Sequence, residues 1–301
     1  MTELQQYLAE EVAEDHADGI ITRREAIRRL GLLGVSSTAA AAMLAAEASA
    51  REKGGGPGHK HGHGHGHGDG RERSWAPAAT QEITFAGPHG TLMASWAAAA
   101  KPRGGVLVIH ENRGLNAHIR SVAARFAGTG WSALALDLLS EEGGTGSFPG
   151  EAEVAAALSQ IPPERFDADM KAAVTELGRR VRHKPLAAIG FCFGGGMVWR
   201  LVAAREKRLA AAAPFYGPFP SGGNLKGIKA NVLAVYGGLD TRINESIPTA
   251  RAALEAARVD YEILTFSEAD HAFFNDTGAR FNPSAMAEAW RRVLGWFEAA
   301  G

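Results

Sequence analysis

The chain has 301 residues, with 32 basic and 33 acidic side chains and a formal net charge of −1 at pH 7. A balance this close gives no reason to expect a nucleic-acid partner, because such partners select for an excess of Lys and Arg. The sequence contains one cysteine, which excludes a structural disulfide within the chain.

The N-terminal region, residues 1–50, has the features of an export signal. Residues 22–28 (TRREAIR) resemble the twin-arginine motif, with Ala26 in place of the usual bulky residue. The apolar run at 30–46 is too short and too weakly apolar for a stable membrane span, and residues 48–50 form an A-x-A cleavage site. We therefore expect the export machinery as a partner and a periplasmic or extracellular location. The alternative is a cytoplasmic protein whose N-terminal arginines are solvated on an amphipathic helix.

Residues 51–75 are rich in Gly and His, which predicts a flexible linker without a packed core. Alternate positions between 59 and 67 carry imidazoles: His59, His61, His63, His65 and His67. Imidazoles bind Zn²⁺, Ni²⁺ or Cu²⁺, but this stretch encodes no fixed geometry. Any metal held there is therefore expected to be adventitious and outside the active site, and a solvated tether is the alternative.

Residues 76–301 are predicted to form a single α/β catalytic domain. Strands are expected near 82–85, 92–98, 105–110, 131–137, 185–190, 209–215, 231–236 and 261–266, and helices near 117–129, 164–181, 195–206, 245–257 and 283–299. Continuous apolar strands that alternate with helices indicate a mostly parallel sheet with helices on both faces. Residues 143–161 show no clear pattern and are a candidate cap over the site.

Residues 190–194 (GFCFG) are the most informative segment of this domain. They lie between an apolar strand and a helix-like run, which is the arrangement of a nucleophile elbow, G-x-S-x-G, with Cys192 in place of Ser. The start of a helix favours the thiolate over the thiol. The alternative is that Cys192 is a small buried apolar residue in a glycine-rich turn.

An acid and a histidine follow in the order that a catalytic triad on this fold requires. Asp240 lies in the loop after the strand at 231–236, and His271 lies in the loop after the strand at 261–266. Asp240 is placed to orient His271, and His271 to accept the proton of Cys192. Separately, Asp240 is also explained as a helix cap and His271 as a surface histidine, but the ordered set favours the triad.

Four segments together resemble the dienelactone hydrolase (carboxymethylenebutenolidase) family of α/β-hydrolases, over residues 80–300. They are residues 110–116 (HENRGLN), 190–195 (GFCFGG), 236–240 (YGGLD) and 270–276 (DHAFFND). The Cys elbow combined with a Glu-containing loop is more specific than an elbow alone, because most α/β-hydrolases carry Ser and no such Glu. The resemblance implies the α/β-hydrolase fold.

The resemblance also implies that Glu111 is a second partner of the nucleophile, which holds the thiol or takes its proton until substrate arrives. A nearby carboxylate disfavours the thiolate and so protects it from oxidation; the alternative is a solvated loop carboxylate. The backbone N–H groups of Phe193 and Asn112 are the expected oxyanion donors. The implied reaction is hydrolysis of a small lactone or ester through a thioester on Cys192, without a metal or organic cofactor.

The substrate-binding positions depart from the family pattern. Well-known members clamp a substrate carboxylate with arginines, one of them four residues after the histidine, where this chain has Asn275. A second basic residue is expected after Asp137, where residues 138–144 are acidic and glycine-rich. A neutral lactone or small ester is therefore at least as good a candidate as dienelactone. Arg113 and Tyr216 are the remaining candidates for substrate contact, with a surface arginine and ordinary packing as the alternatives.

Two further functions stay open at this point. One is a general carboxylesterase or thioesterase that uses the same triad. The other is a non-enzymatic, exported metal-binding protein that carries the histidine tract on a hydrolase fold. The elbow and the ordered acid and histidine favour a hydrolase, because a metal carrier has no need of them.

Overall fold

The structure is a computed structural model, and it describes residues 1–54 and 77–301. The chain divides into two compact units, Met1–Trp75 and Ala76–Gly301. Residues 55–75 of the predicted linker, with the five histidines between 59 and 67, lie outside the described residues.

In the N-terminal unit, residues 1–54 form three helices that contact one another: α1 (Glu3–Ala17), α2 (Arg23–Leu32) and α3 (Ser37–Gly54). Thr2 caps α1 in a capping box with Gln5, and the Thr22 side chain caps α2. The paired arginines of the predicted export motif therefore begin α2. No helix in the described part of the chain is long and apolar enough to span a bilayer.

The predicted cleavage site at residues 48–50 lies inside α3. This helix runs past residue 50, where the linker was expected to begin, because good helix formers follow in the sequence. Export and cleavage stay predictions.

The second unit is built on one eight-stranded sheet with the order β1-β2-β4-β3-β5-β6-β7-β8. The strands are β1 (Thr80–Ala86), β2 (Thr91–Ala97), β3 (Gly104–Ile109), β4 (Trp131–Leu136), β5 (Leu186–Phe191), β6 (Leu209–Phe215), β7 (Asn231–Gly237) and β8 (Tyr261–Phe266). The pairs β1–β2 and β2–β4 are antiparallel, and all other pairs are parallel. The prediction of a mostly parallel sheet is confirmed.

Helices cover both faces of the sheet. They are α4 (Ala117–Gly128), α5 (Glu151–Ser159), α6 (Pro163–Val181), α7 (Phe193–Ala203), α8 (Thr241–Asn244), α9 (Ile247–Ala257) and α10 (Pro283–Ala300). Every residue of β3, β4 and β5 is buried, which is why these strands are continuously apolar. On one side, Phe126 of α4 packs against Trp290 of α10 with ring centroids 4.5 Å apart.

The direction in which successive strands are added to the sheet reverses at β3, and this reversal locates the site. The connection from β3 through α4 leads to β4, and the connection from β4 through α6 returns across β3 to β5. Because crossovers between parallel strands are right-handed, α4 and α6 lie on opposite faces. The carboxyl ends of β3 and β5 are therefore the switch point of the sheet, which is where open α/β sheets bind their ligands.

The segment at 143–161, which showed no sequence pattern, contains a 3₁₀ turn at Thr145–Ser147 and the helix α5, and another 3₁₀ turn at Ser140–Glu142 precedes it. Asp137 organises its start. One carboxylate oxygen accepts from the Thr145 N–H at 2.7 Å, and the other accepts from the Thr145 hydroxyl at 2.9 Å and from the Leu139 N–H at 3.0 Å. Side-chain hydrogen bonds leave no periodic pattern in the sequence, so the sequence did not predict these contacts. A cap role for this segment stays a prediction.

Candidate active site

Cys192 lies in a strained turn between β5 and α7. Its φ of 57° and ψ of −121° are unusual for a residue with a side chain, and the tight packing around it explains how they persist. A Cβ on Gly190 would collide with the carbonyl of Gly194, and a Cβ on Gly194 would collide with the carbonyl of Ile109. The glycines of the G-x-C-x-G segment are therefore required by close backbone approach, as in a nucleophile elbow.

His271 and Asp240 form a buried pair beside this cysteine. The His271 Nδ1 lies 2.6 Å from the Asp240 Oδ2, and both side chains are almost wholly buried. The Cys192 Sγ and a ring nitrogen of His271 lie within 4.8 Å of each other. Because Nδ1 is bonded to Asp240, Nε2 is the nitrogen left for the cysteine. The three residues predicted to act together are brought together, and a surface position for His271 is excluded.

The pKa values of His271 and Asp240 are both shifted from their usual ranges. Burial would lower the pKa of His271, but the Asp240 carboxylate and the Cys192 sulfur raise it well above 6.5. Burial would raise the pKa of Asp240, but His271, Arg242 and the Ile243 N–H hold it below 3.8. This site therefore favours a charged imidazolium–carboxylate pair, and the positive imidazolium in turn favours a thiolate on Cys192.

Asp240 is also a helix cap. While Oδ2 faces His271, Oδ1 accepts a hydrogen bond of 3.2 Å from the Ile243 N–H at the start of α8. The two interpretations offered by the sequence are therefore compatible, because each uses a different carboxylate oxygen. The cap fixes the rotation of the carboxylate and so fixes the direction from which His271 is held.

Glu111 directly follows His110 at the carboxyl end of β3, and its side chain is only 3 % exposed. This excludes the solvated carboxylate considered as its alternative. Its Oε2 accepts a 2.8 Å hydrogen bond from the Asn275 Nδ2. The Asn275 Oδ1 accepts from the backbone N–H of Thr277 at 3.0 Å and from its hydroxyl at 2.7 Å, so the amide is oriented with its NH₂ toward Glu111.

Asn275 is therefore a site residue whose partner the sequence did not reveal. Its position four residues after His271 marked it only as a departure from an expected arginine. In the structure, the residue at this position contacts Glu111 directly. A buried amide that bonds a buried carboxylate satisfies both groups without adding a charge.

The expected oxyanion donors are backbone N–H groups at the start of α7 and in the loop after β3. Phe193 is the first residue of α7, where backbone N–H groups have no intrahelical acceptor. Asn112 follows Glu111 in the loop after β3. Donors from a helix start and from the loop after β3 are the usual components of an oxyanion hole on this fold.

The two predicted substrate contacts lie in different surroundings. Tyr216 is fully buried, has a φ of 33°, and meets the His271 ring edge-on with centroids 5.2 Å apart. Burial, with the charges of Glu111 and Cys192, raises its pKa well above 10, so its hydroxyl keeps its proton. Arg113 is one-third exposed, and its Nε lies 3.6 Å from the Oε2 of Glu151 at the start of α5. Substrate contact by either residue stays a prediction.

Comparison with known proteins gives one family. The sequence profile of the dienelactone hydrolase family matches residues 90–301. A protein of Salmonella typhimurium assigned as a carboxymethylenebutenolidase is 32% identical over 245 residues, which cover 74% of this chain and 89% of that protein. One of Escherichia coli O157:H7 with the same assignment is 33% identical over 213 residues, or 65% of this chain and 77% of the relative.

A solved structure agrees with these relatives. The crystal structure of a protein assigned as a dienelactone hydrolase from Klebsiella pneumoniae superposes with a TM-score of 0.64 at 28% identity. The match covers 73% of this chain and 98% of that chain. The profile match at residues 90–301 lies within the second unit, Ala76–Gly301.

Proposed function

Because the chain belongs to the dienelactone hydrolase family and is a hydrolase, we propose that it cleaves a lactone or small carboxylic ester with Cys192, His271 and Asp240. The observation that carries this proposal is the buried His271–Asp240 pair, joined at 2.6 Å, within 4.8 Å of the elbow cysteine. Membership in a hydrolase family also decides against the non-enzymatic metal carrier.

The first half of the reaction transfers the acyl group to the enzyme. The Cys192 thiolate adds to the carbonyl carbon, and the carbonyl electron pair moves to oxygen. The N–H groups of Phe193 and Asn112 stabilise this oxyanion. When the tetrahedral intermediate collapses, the carbon–oxygen bond of the ester breaks, and the leaving oxygen takes the proton from the His271 Nε2. The products are a thioester on Cys192 and an alcohol or enol.

The second half returns the enzyme to its starting state. His271, now neutral, removes a proton from a water molecule that adds to the thioester carbonyl. The second tetrahedral intermediate expels the Cys192 thiolate and releases the carboxylic acid. Asp240 keeps the imidazole oriented and stabilises its positive form in both halves. The sum is one water consumed and one ester bond cleaved, with no change of oxidation state.

Glu111 acts on the nucleophile before substrate arrives. A buried carboxylate near the thiol opposes its ionisation. We assign it this gating role because it is buried at the carboxyl end of β3 and its Oε2 is held in place by the Asn275 amide. The Asn275 amide orients this carboxylate without adding a charge beside it.

The same pairing supports an uncharged substrate. Where the family pattern has an arginine for a substrate carboxylate, Asn275 supplies an amide that bonds Glu111. A carboxylate on the substrate would therefore meet the Glu111 carboxylate where the family pattern places an arginine, and repulsion between two carboxylates at short range in a buried site is costly. We infer a neutral lactone or small ester in preference to anionic dienelactone.

The test is steady-state hydrolysis by the full-length protein of dihydrocoumarin, p-nitrophenyl acetate and dienelactone, with Cys192→Ala as the control. The proposal predicts that dihydrocoumarin has the highest kcat/KM and that the variant loses turnover of all three substrates. Turnover of p-nitrophenyl acetate alone would indicate a general esterase. Preference for dienelactone would contradict the neutral substrate, and full activity of the variant would contradict the mechanism.

Export by the twin-arginine route is a second proposal, and it rests on residues 22–28 and the A-x-A sequence at 48–50. Its test is cell fractionation of the full-length protein beside a variant with Arg23→Lys and Arg24→Lys. We expect the wild-type protein in the periplasmic fraction and the variant in the cytoplasm. An equal distribution of the two proteins would contradict export by this route.

A further inference from the structure

His110 is a fully buried imidazole beside the active site that the proposed reaction does not use. It follows the last residue of β3, and both of its ring nitrogens have backbone partners. The Nδ1 lies 2.6 Å from the carbonyl oxygen of Glu111, and the Nε2 lies 3.2 Å from the backbone nitrogen of Leu138.

These two contacts fix the tautomer. The Leu138 N–H can only donate, so the Nε2 must offer its lone pair. The proton of the neutral ring is then on Nδ1, where it is donated to the Glu111 carbonyl. Burial lowers the pKa of His110 and outweighs the opposing effects of Asp137 and the Glu111 carbonyl. The ring is therefore uncharged near pH 7.

The Glu111 carbonyl belongs to the same peptide unit as the Asn112 N–H. The described residues contain no cis peptide bond, so this C=O and this N–H point in opposite directions. The Gly114 N–H donates to the same carbonyl oxygen at 3.1 Å. Two donors thus anchor the carbonyl end of the peptide, and the direction of the Asn112 N–H follows from them.

His110 also contacts the residue that carries the second expected donor. Its ring stacks on Phe193 with centroids 6.0 Å apart and planes inclined by 26°. A Cβ on Gly194, the next residue of α7, would collide with the His110 carbonyl oxygen. His110 therefore joins the loop after β3 to the start of α7, through its ring at Phe193 and its backbone at Gly194.

We propose that His110 is a positioning residue of the oxyanion hole, whose Nδ1–H fixes the Glu111–Asn112 peptide so that the Asn112 N–H faces the substrate oxyanion. The inference rests on the proposed function, because it assigns the oxyanion to a reaction at Cys192. His110 itself touches no reacting atom.

Two isosteric variants separate the roles of the ring nitrogens. In His110→Asn, the side-chain NH₂ occupies the region of Nδ1 and still donates to Glu111. In His110→Gln, the amide oxygen reaches the region of Nε2 and accepts from Leu138, but no donor remains for Glu111. We expect kcat to fall by about 10- to 100-fold in His110→Gln with a much smaller change in KM, and His110→Asn to recover most of the loss.

A second reaction of Cys192 distinguishes positioning from general damage. Alkylation by iodoacetamide needs the thiolate but no oxyanion hole, so its rate should be the same in wild type and both variants. His118→Gln is the matched control, since it replaces another buried histidine and leaves the Glu111 carbonyl untouched. Equal losses of hydrolysis and alkylation in His110→Gln, or equal hydrolysis by the two isosteric variants, would overturn the proposal.

A spectroscopic measurement tests the geometry without turnover. In protein with ¹⁵N-labelled histidine, long-range ¹H–¹⁵N correlations should show His110 as the neutral Nδ1–H tautomer. The Asn112 amide resonance should shift in His110→Gln and return toward its wild-type position in His110→Asn. A charged ring, the Nε2–H tautomer or an unmoved Asn112 resonance would refute the inference. If wild type hydrolyses no ester, the proposed function fails, and these spectra still decide what His110 orients.

Discussion

Two buried carboxylates stand at the same edge of the sheet, and their partners differ in kind. Asp240 is 0 % exposed and bonds the ring of His271, while Glu111 is 3 % exposed and bonds the amide of Asn275. An ionisable partner holds the first carboxylate in its charged form. The Asn275 amide orients the second carboxylate without adding a charge. Burial alone therefore does not assign a role to a carboxylate, whereas the chemistry of its hydrogen-bond partner does.

This difference makes Asp240→Asn the most damaging change at either carboxylate. The amide keeps the shape but removes the charge that stabilises the imidazolium, and it disfavours the required tautomer. We expect kcat to fall by about 10⁴-fold. Steady-state hydrolysis measures this loss, and NMR titration of His271 should show its pKa lowered. A loss below tenfold would mean that Asp240 acts on this site only as the cap of α8.

The Asp240–His271 pair should also leave a signature in stability. The lowered pKa of Asp240 stabilises the fold above its ordinary value of 3.8, and this contribution is lost as pH falls through the folded value. The raised pKa of His271 stabilises the fold below its ordinary value of 6.5, and this contribution is lost as pH rises through the folded value. The stabilisation is therefore complete between 3.8 and 6.5 and declines on both sides.

Urea denaturation of wild type and Asp240→Asn tests this window. The difference between the unfolding free energies of the two proteins should be larger at about pH 5 than at about pH 9. The reason is that the contribution of His271 is lost as pH rises through its folded pKa. A difference that is constant across this range would mean that the pair contributes through packing and the α8 cap, with no contribution from charge.

Glu111→Gln should lower kcat less than Asp240→Asn does. It should also make the resting Cys192 thiol more reactive. Removal of the carboxylate removes its repulsion of the thiolate, and a pKa change of about one unit changes the thiolate fraction up to tenfold. We expect faster alkylation of Cys192 by iodoacetamide together with a lower kcat. Slower alkylation would indicate that Glu111 promotes ionisation at rest, which would place it beside Asp240 in function.

The sequence revealed one of these carboxylate pairs far better than the other. The sequence identified Cys192 because the tight turn around it requires glycines at neighbouring positions. It identified Asp240 and His271 because the acid and the histidine of a triad follow successive strands along the chain. The Glu111–Asn275 bond joins residues 164 positions apart and depends on a side-chain rotation set by Thr277. The turns anchored by Asp137 were missed for the same reason, since such bonds leave no pattern along the chain.

Asn275→Ala gives the smallest effect and the sharpest test of the second pair. The variant removes the amide donor from the buried Glu111 Oε2, and loss of one such bond costs about 1–3 kcal/mol of unfolding free energy. Thr277→Val is the matched control, because it removes only the hydroxyl that orients Asn275 and leaves the Thr277 N–H in place. We expect a cost below about 1.5 kcal/mol for that control. Chemical denaturation measures both values, and an Asn275→Ala protein as stable as the control would show that Glu111 is held by its other contacts.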